Sequence, residues 1–193
     1  RQLRLAHYSH GCLTELRNET GLHYDQSTHG LLVLYRSARD LEVARREAQL
    51  LDRLGIAYRF LDRAACVAHE PALREPQDKL VGGMLFPRDE SGDCRRFTEQ
   101  LATRAQQQGV KFLSTTCVTR LVADGARIAR IATDRGDLTA DAYVLACGSY
   151  SPLLLKPLGI RLPVYPVKGY SITVPITNDV AAPQGTLTDE TYK

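Results

Sequence analysis

An unbroken apolar run, Leu31 to Tyr35, is the feature that most constrains the fold of this chain. Consecutive apolar side chains in a strand point alternately to both faces of a sheet, so both faces have to be covered. The next segment, residues 39–54, has apolar side chains at helical spacing and can supply one covering layer. The sequence therefore predicts a sheet with helices packed against it.

The remaining pattern alternates irregularly between short strands and helices. Helical spacing and caps predict helices over residues 1–20, 39–54, 63–69, 94–108 and 152–158. Apolar runs and period-two alternation predict strands over residues 22–24, 30–35, 57–61, 80–86, 110–113, 116–123, 127–133, 137–140, 142–146 and 163–174. These elements indicate an α+β fold with a mixed, largely antiparallel sheet flanked by helices.

Two features at the ends of the chain suggest a piece of a longer protein. The first predicted helix has no capping residue before Leu3, and the last residues, 188–193, supply no closing element. We therefore expect the chain to be an internal segment.

Composition excludes several classes of protein. The 193 residues suggest one domain, or one and a fraction, and are 44% hydrophobic and 24% charged, unlike disordered or collagen-like chains. The net charge is +3 with both signs interspersed, and Trp is absent, so no nucleic-acid-binding surface is indicated. We find no apolar stretch of ~20 residues and expect no transmembrane helix.

Cysteine and histidine spacing indicates no metal site. The five cysteines are widely spaced and form no C-x-x-C pair, which predicts free, mostly buried thiols in a reducing compartment. His7 and His10 are three residues apart on a predicted helix, a spacing that can bind a metal. A solvated helix face explains them better, because no Cys or carboxylate stands at a suitable spacing.

Two segments can carry chemistry. The apolar strand 142–146 runs directly into Cys147 and Gly148, where a glycine lets a planar group or a phosphate lie against the backbone. An ordinary strand-to-helix turn is the alternative. In the predicted strand 163–174, Lys168 and Tyr170 share one face and can orient a carboxylate. The alternative is an edge strand with a solvated lysine.

Three further segments have simpler interpretations. Residues 115–121 are a β-branched run typical of an ordinary strand. Gly82 and Gly83 lie inside a strand and indicate a bulge or the close approach of another group. His69 and Glu70 directly precede Pro71, which predicts a surface turn.

In order along the chain, these segments resemble one family. The matching motifs are Gly82-Gly83 with Pro87 and Asp89-Glu90, Gly92-Asp93-Cys94, Gly109 to Phe112, Asp141 to Ser151, Val164-Tyr165-Pro166, Lys168 to Ser171 and Asp189 to Lys193. In this order the chain is similar to the flavin-dependent D-amino acid dehydrogenases of the D-amino acid oxidase-like superfamily. The resemblance covers essentially the whole chain, and the segment from Tyr165 to Ser171 is its most specific part.

The resemblance implies a domain division and site residues. Residues 1–109 would be the first part of the substrate domain, residues 110–162 part of the FAD-binding domain, and residues 163–193 a return into the substrate domain. Val118 would contact the adenine of FAD through its backbone, and Ala146, Cys147 and Gly148 would lie beside the cofactor. Lys168 and Tyr170 would face the substrate. No residue is assigned to catalysis itself.

The resemblance also implies parts that this sequence does not contain. The family opens with a G-x-G-x-x-G loop for the FAD pyrophosphate, and its later segments contact the flavin and clamp the substrate carboxylate. FAD is therefore expected in the full-length parent. By itself, this chain is expected to bind FAD weakly or not at all and to be inactive.

The implied reaction is oxidation of a D-amino acid, such as D-alanine, to a 2-oxo acid and ammonia. The implied partners are the D-amino acid, a membrane quinone as electron acceptor and the remainder of the parent chain, with no nucleic acid. The implied location is cytoplasmic, with peripheral association at the cytoplasmic face of a bacterial inner membrane. Two alternatives stay open, a related oxidase of glycine or sarcosine type and a flavin-free binding or assembly module with the same fold.

Overall fold

A computed structural model describes residues 2–192 of the chain. Arg1 and Lys193, at the ends of the predicted first and last segments, lie outside the described residues. The chain divides into two compact units. The first contains the residues up to Gly109 together with those from Val174 onward, and the second contains Val110–Thr173.

A mixed four-stranded sheet forms the centre of the first unit. Its strands are β1 (Leu31–Tyr35), β2 (Arg59–Asp62), β3 (Gly82–Phe86) and β7 (Thr186–Asp189). Their order is β2-β3-β1-β7, with β3 antiparallel to both β1 and β2 and with β7 parallel to β1. The predicted mixed, largely antiparallel sheet is therefore confirmed.

Strand β1 is buried on both faces, as its apolar run predicts. Leu32 and Leu34 pack into one core cluster with residues from α3 (Arg63–His69) and the turn after it. Val33 and Tyr35 pack into a second cluster, on the other face, against α2 (Ala38–Leu54). The alternation along β1 thus divides the core into two layers.

Local signals set the helices of this unit. The Ser37 hydroxyl accepts a hydrogen bond from the Asp40 N–H and caps α2, and Gly55 ends the helix in the left-handed conformation. Asp93 caps α4 (Cys94–Gln107) by accepting from the N–H groups of Arg95 and Arg96. Both predicted helices are confirmed within a residue or two.

Helix α1 (Gln2–Thr20) contains no buried residue. The guanidinium of Arg17 connects it to the loop after β3, since it donates to both carboxylate oxygens of Glu90, at 2.7 and 3.3 Å. This hydrogen bond holds the pKa of the Glu90 carboxyl below its ordinary value. His10 lies 3.5 Å from Glu90, so it has a carboxylate neighbour that the spacing of the sequence does not reveal.

The second unit is built on a three-stranded antiparallel meander. Strands β4 (Val118–Asp124), β5 (Arg127–Thr133) and β6 (Gly136–Leu138) pair in that order. Helix α5 (Ser151–Leu155) continues as a 3₁₀ turn, Lys156–Leu158, and Gly159 ends it. In the described part of the chain no helix is both long and apolar enough to cross a membrane.

Four predicted strands are wrong. Residues 22–24, 110–113, 142–146 and 163–174 are bends or extended coil. A strand needs a neighbouring backbone for its N–H and C=O groups, and these segments join no ladder among residues 2–192. One strand was not predicted. The end of the chain was expected to supply no closing element, but Thr186–Asp189 forms β7, which pairs with β1.

Candidate functional site

Val118, the residue predicted to lie against adenine, is the first residue of β4. It pairs with Thr133 of β5, and the register shifts between Val118 and Arg120. Its side chain is 36% exposed. The shift places Val118 at an irregular point of the ladder, where backbone groups are less regularly paired. Its contact with a cofactor stays a prediction.

The predicted cofactor-side residues Ala146, Cys147 and Gly148 form one open segment. All three are exposed, and Gly148 has a φ of 51°, with no heavy atom within 4 Å of the position that a Cβ would take. The Tyr150 N–H donates to the Cys147 carbonyl at 3.0 Å and closes a tight turn. The turn thus presents bare backbone, against which a planar or anionic group can lie.

A tyrosine anchors the start of this segment to the meander. The Tyr143 hydroxyl accepts from the Ala140 N–H at 3.0 Å and donates to the Ala129 carbonyl of β5 at 3.2 Å. The next residue, Val144, is 92% exposed. The segment is therefore fixed at one end and presents apolar side chains to its surroundings beyond that point.

Lys168 and Tyr170 come together as predicted, although the strand that was to carry them does not form. The Lys168 ammonium lies 5.1 Å from the centroid of the Tyr170 ring, a cation–π contact between two exposed side chains. Alternating side chains in extended backbone explain the shared side. A cation beside a phenol can bind a carboxylate, and this role of Lys168 and Tyr170 stays a prediction.

The sequence did not predict three polar contacts of the first unit. They are the Arg17–Glu90 pair, the Arg36–Asp189 pair and the hydrogen bond from the Gln184 N–H to the buried carboxylate of Glu70. Arg36 Nε donates to Asp189 Oδ2 at 2.7 Å and holds the pKa of that carboxyl below its ordinary value. These partners are 73 to 153 residues apart, so no local spacing could reveal them.

The prediction of a surface turn at His69-Glu70 is wrong for Glu70, which is 2% exposed. No group of three or more His, Cys, Asp and Glu side chains within residues 2–192 is arranged to hold a metal ion. Of the five cysteines, all of which lie among residues 2–192, Cys66 alone is buried, so the prediction of mostly buried thiols is wrong.

Comparison with known proteins places this geometry in a family. The family described as FAD dependent oxidoreductase, DAO, matches residues 1–192. The D-amino acid dehydrogenase of Allorhizobium ampelinum is 52% identical over all 193 residues, and that of Rhizorhabdus wittichii is 49% identical. The chain spans 46% of the length of each of these relatives.

Solved structures agree on the fold. Glycine oxidase from Geobacillus kaustophilus superimposes with a TM-score of 0.79 at 25% identity, over 98% of this chain and 49% of that one. L-Proline dehydrogenase from P. horikoshii gives 0.77 at 18% identity, over 98% and 50%. With the family match extending through residue 192, the chain belongs to the DAO family of FAD-dependent oxidoreductases.

Proposed function

We propose that the protein carrying this chain is an FAD-dependent D-amino acid dehydrogenase. The observation that carries the proposal is the 52% identity over all 193 residues to a protein of that name. The reaction would remove a hydride from Cα and a proton from the amino group of a D-amino acid such as D-alanine, which leaves an imino acid. Water would then hydrolyse the imino acid to a 2-oxo acid and ammonia. When bound, FAD would accept the hydride from the substrate Cα.

The open turn in the second unit fits one side of such a cofactor. Gly148 has bare backbone with free space at its Cβ position, and Ala146 and Cys147 beside it are small and exposed. We therefore assign these three residues, and the backbone of Val118, to cofactor binding. Their role is to supply a close-fitting wall and to exclude water from the face that they cover.

Lys168 and Tyr170 are the proposed substrate-side residues. An ammonium group and a phenol on one side of an extended segment can attract and orient a carboxylate by charge and hydrogen bonding. In keeping with these roles, residues 1–109 would begin the substrate domain, residues 110–162 would belong to the FAD-binding domain, and residues 163–193 would return to the substrate domain.

The proposed electron acceptor is a membrane quinone, reached by peripheral association with the cytoplasmic face of a bacterial inner membrane. The word dehydrogenase in the names of the relatives supports an acceptor other than oxygen.

An oxidase of glycine or sarcosine type is the second candidate function, and the superposition on glycine oxidase favours it. A flavin-free binding module is the third.

These candidates separate in one set of assays on the full-length protein. We expect a flavin absorption band, dye reduction with D-alanine, none with L-alanine, and little oxygen consumption. Rapid oxygen consumption with glycine or sarcosine would favour the oxidase, and a colourless protein that stays inactive with added FAD would favour the binding module. The chain of 193 residues alone should turn over no D-alanine.

The lysine is tested separately. Lys168→Ala should raise KM for D-alanine, since the lost charge would weaken substrate binding in ground and transition states alike. Lys111→Ala, at another exposed lysine of the same unit, is the matched control and should leave KM unchanged. Equal KM values in both variants would make Lys168 a solvated lysine.

A further inference from the structure

Glu70 is a buried acid whose partners lie at the far end of the chain. Its Oε2 accepts hydrogen bonds from the N–H groups of Gln184 at 2.8 Å and Gly185 at 3.1 Å. Its Oε1 accepts from the Ala72 N–H at 3.4 Å. A buried carboxylate is stable only when its oxygens are paired. Glu70 therefore depends on Gln184 and Gly185, which lie immediately before β7.

Strand β7 has few apolar side chains that could pack against the core. Leu187 is its one apolar residue and packs against the core cluster that contains Leu32 and Leu85. The other residues of β7 are Thr186, Thr188 and Asp189. In the described sheet β7 is an edge strand, paired with β1 on one side. Its attachment therefore rests largely on polar contacts and backbone pairing.

The two ends of β7 carry these contacts. Just before its start, the N–H groups of Gln184 and Gly185 donate to Glu70. At its end, Asp189 pairs with Arg36, the residue after β1. Before β7, the described residues from Gly159 to Gly185 form neither helix nor strand. Besides its contact with Glu70, Gln184 is held by Ser27, whose hydroxyl donates to the Gln184 carbonyl at 3.2 Å, so opening of β7 would also break this hydrogen bond.

We propose that Glu70 is a latch that holds β7 against β1, so that β7 opens and closes as a unit separate from β1, β2 and β3. In the closed state the carboxylate receives two charge-assisted hydrogen bonds from the backbone. In the open state it is hydrated and the strand is released. The proposal rests on the contacts of the first unit and does not depend on the proposed enzymatic activity.

Hydrogen exchange read by mass spectrometry on the full-length protein tests the latch. In Glu70→Gln, the amide side chain can no longer accept from all three N–H groups, and the charge is lost. Amides of residues 184–189 should exchange on the order of 10- to 100-fold faster, while those of β1 and β3 keep their rates. Glu75→Gln, at an exposed neighbouring glutamate, is the matched control and should change neither set.

Three results would overturn the latch. They are unchanged exchange over residues 184–189, equal acceleration in β1, β3 and β7, and failure of Glu70→Gln to fold. The last two would make Glu70 a support of the whole sheet. Asp189→Asn weakens the other end of the strand and should accelerate the same peptide selectively. If only this variant released β7, the strand would be held by Arg36 rather than by Glu70.

Discussion

Replacing Gly83 by alanine tests the packing at the centre of the first unit. Gly83 lies in β3 opposite Leu34 of β1. A Cβ built there would lie 2.8 Å from Leu32 Cδ1, 2.9 Å from the Val33 carbonyl oxygen and 3.0 Å from Cys66 Sγ. The first contact involves a flexible methyl group. The carbonyl belongs to β1, and the thiol is fully buried, so neither yields without disturbing the sheet or the core.

The expected loss of stability follows from these contacts. Overpacking a well-filled core costs about 1–3 kcal/mol, and the fixed carbonyl and buried thiol place Gly83→Ala near the upper end. Alanine restricts the unfolded chain more than glycine does, which returns about 0.5–1 kcal/mol. The net prediction is a loss of about 2 kcal/mol, or a Tm lower by about 4–8 °C for a chain of this size.

Denaturant unfolding followed by circular dichroism measures the loss, with Gly11→Ala as the control. Gly11 lies in α1 with no heavy atom within 4 Å of a built Cβ, so alanine there should leave stability unchanged or raise it slightly. A Gly83→Ala variant as stable as the wild type would refute the predicted overpacking. Equal losses of stability in both variants would also refute it, because the space around the glycine would then not be the cause.

Three further predictions concern single side chains. Glu90→Gln should cost about 1 kcal/mol near neutral pH. Because Arg17 lowers the pKa of the folded carboxyl, this cost should persist above the ordinary pKa and shrink as pH falls below it, as urea titrations at several pH values would show. Burial raises the pKa of the Cys66 thiol to about 11, so a thiol reagent should label the other four cysteines in the folded chain and Cys66 only after unfolding. Asp93→Ala should lower the denaturation midpoint by removing the cap of α4, and an unchanged midpoint would contradict that role.

Elements with strong local signals were predictable. The Ser37 cap, the apolar spacing and Gly55 define α2, and Asp93 defines the start of α4, because capping and helical periodicity act over a few residues. The apolar run of β1 predicted burial on two faces for the same local reason. Gly83 indicated the close approach of another group, and the contacts around it confirm that prediction.

Strand pairing was less predictable. Residues 142–146 and 163–174 have the composition of strands, yet they lie in coil, since no strand of the described chain offers them a backbone partner. Thr186–Asp189 has a weak strand pattern and yet forms β7, because β1 offers it a backbone partner. Strand propensity indicates whether a side chain suits a sheet, whereas strand pairing depends on whether another strand lies next to the segment.

The candidate site shows the same contrast between local and long-range information. The proposed roles of Val118, Ala146–Gly148 and Lys168 came from the order of motifs along the chain, which can be read from the sequence without a structure. The sequence by itself thus determined the helices, the two-faced central strand and the family resemblance, because those signals lie within short segments. Only the tertiary structure decided that Glu70 is buried and that β7 joins β1, because in both cases the partners are more than 100 residues apart along the chain, 114 residues for Glu70 and Gln184.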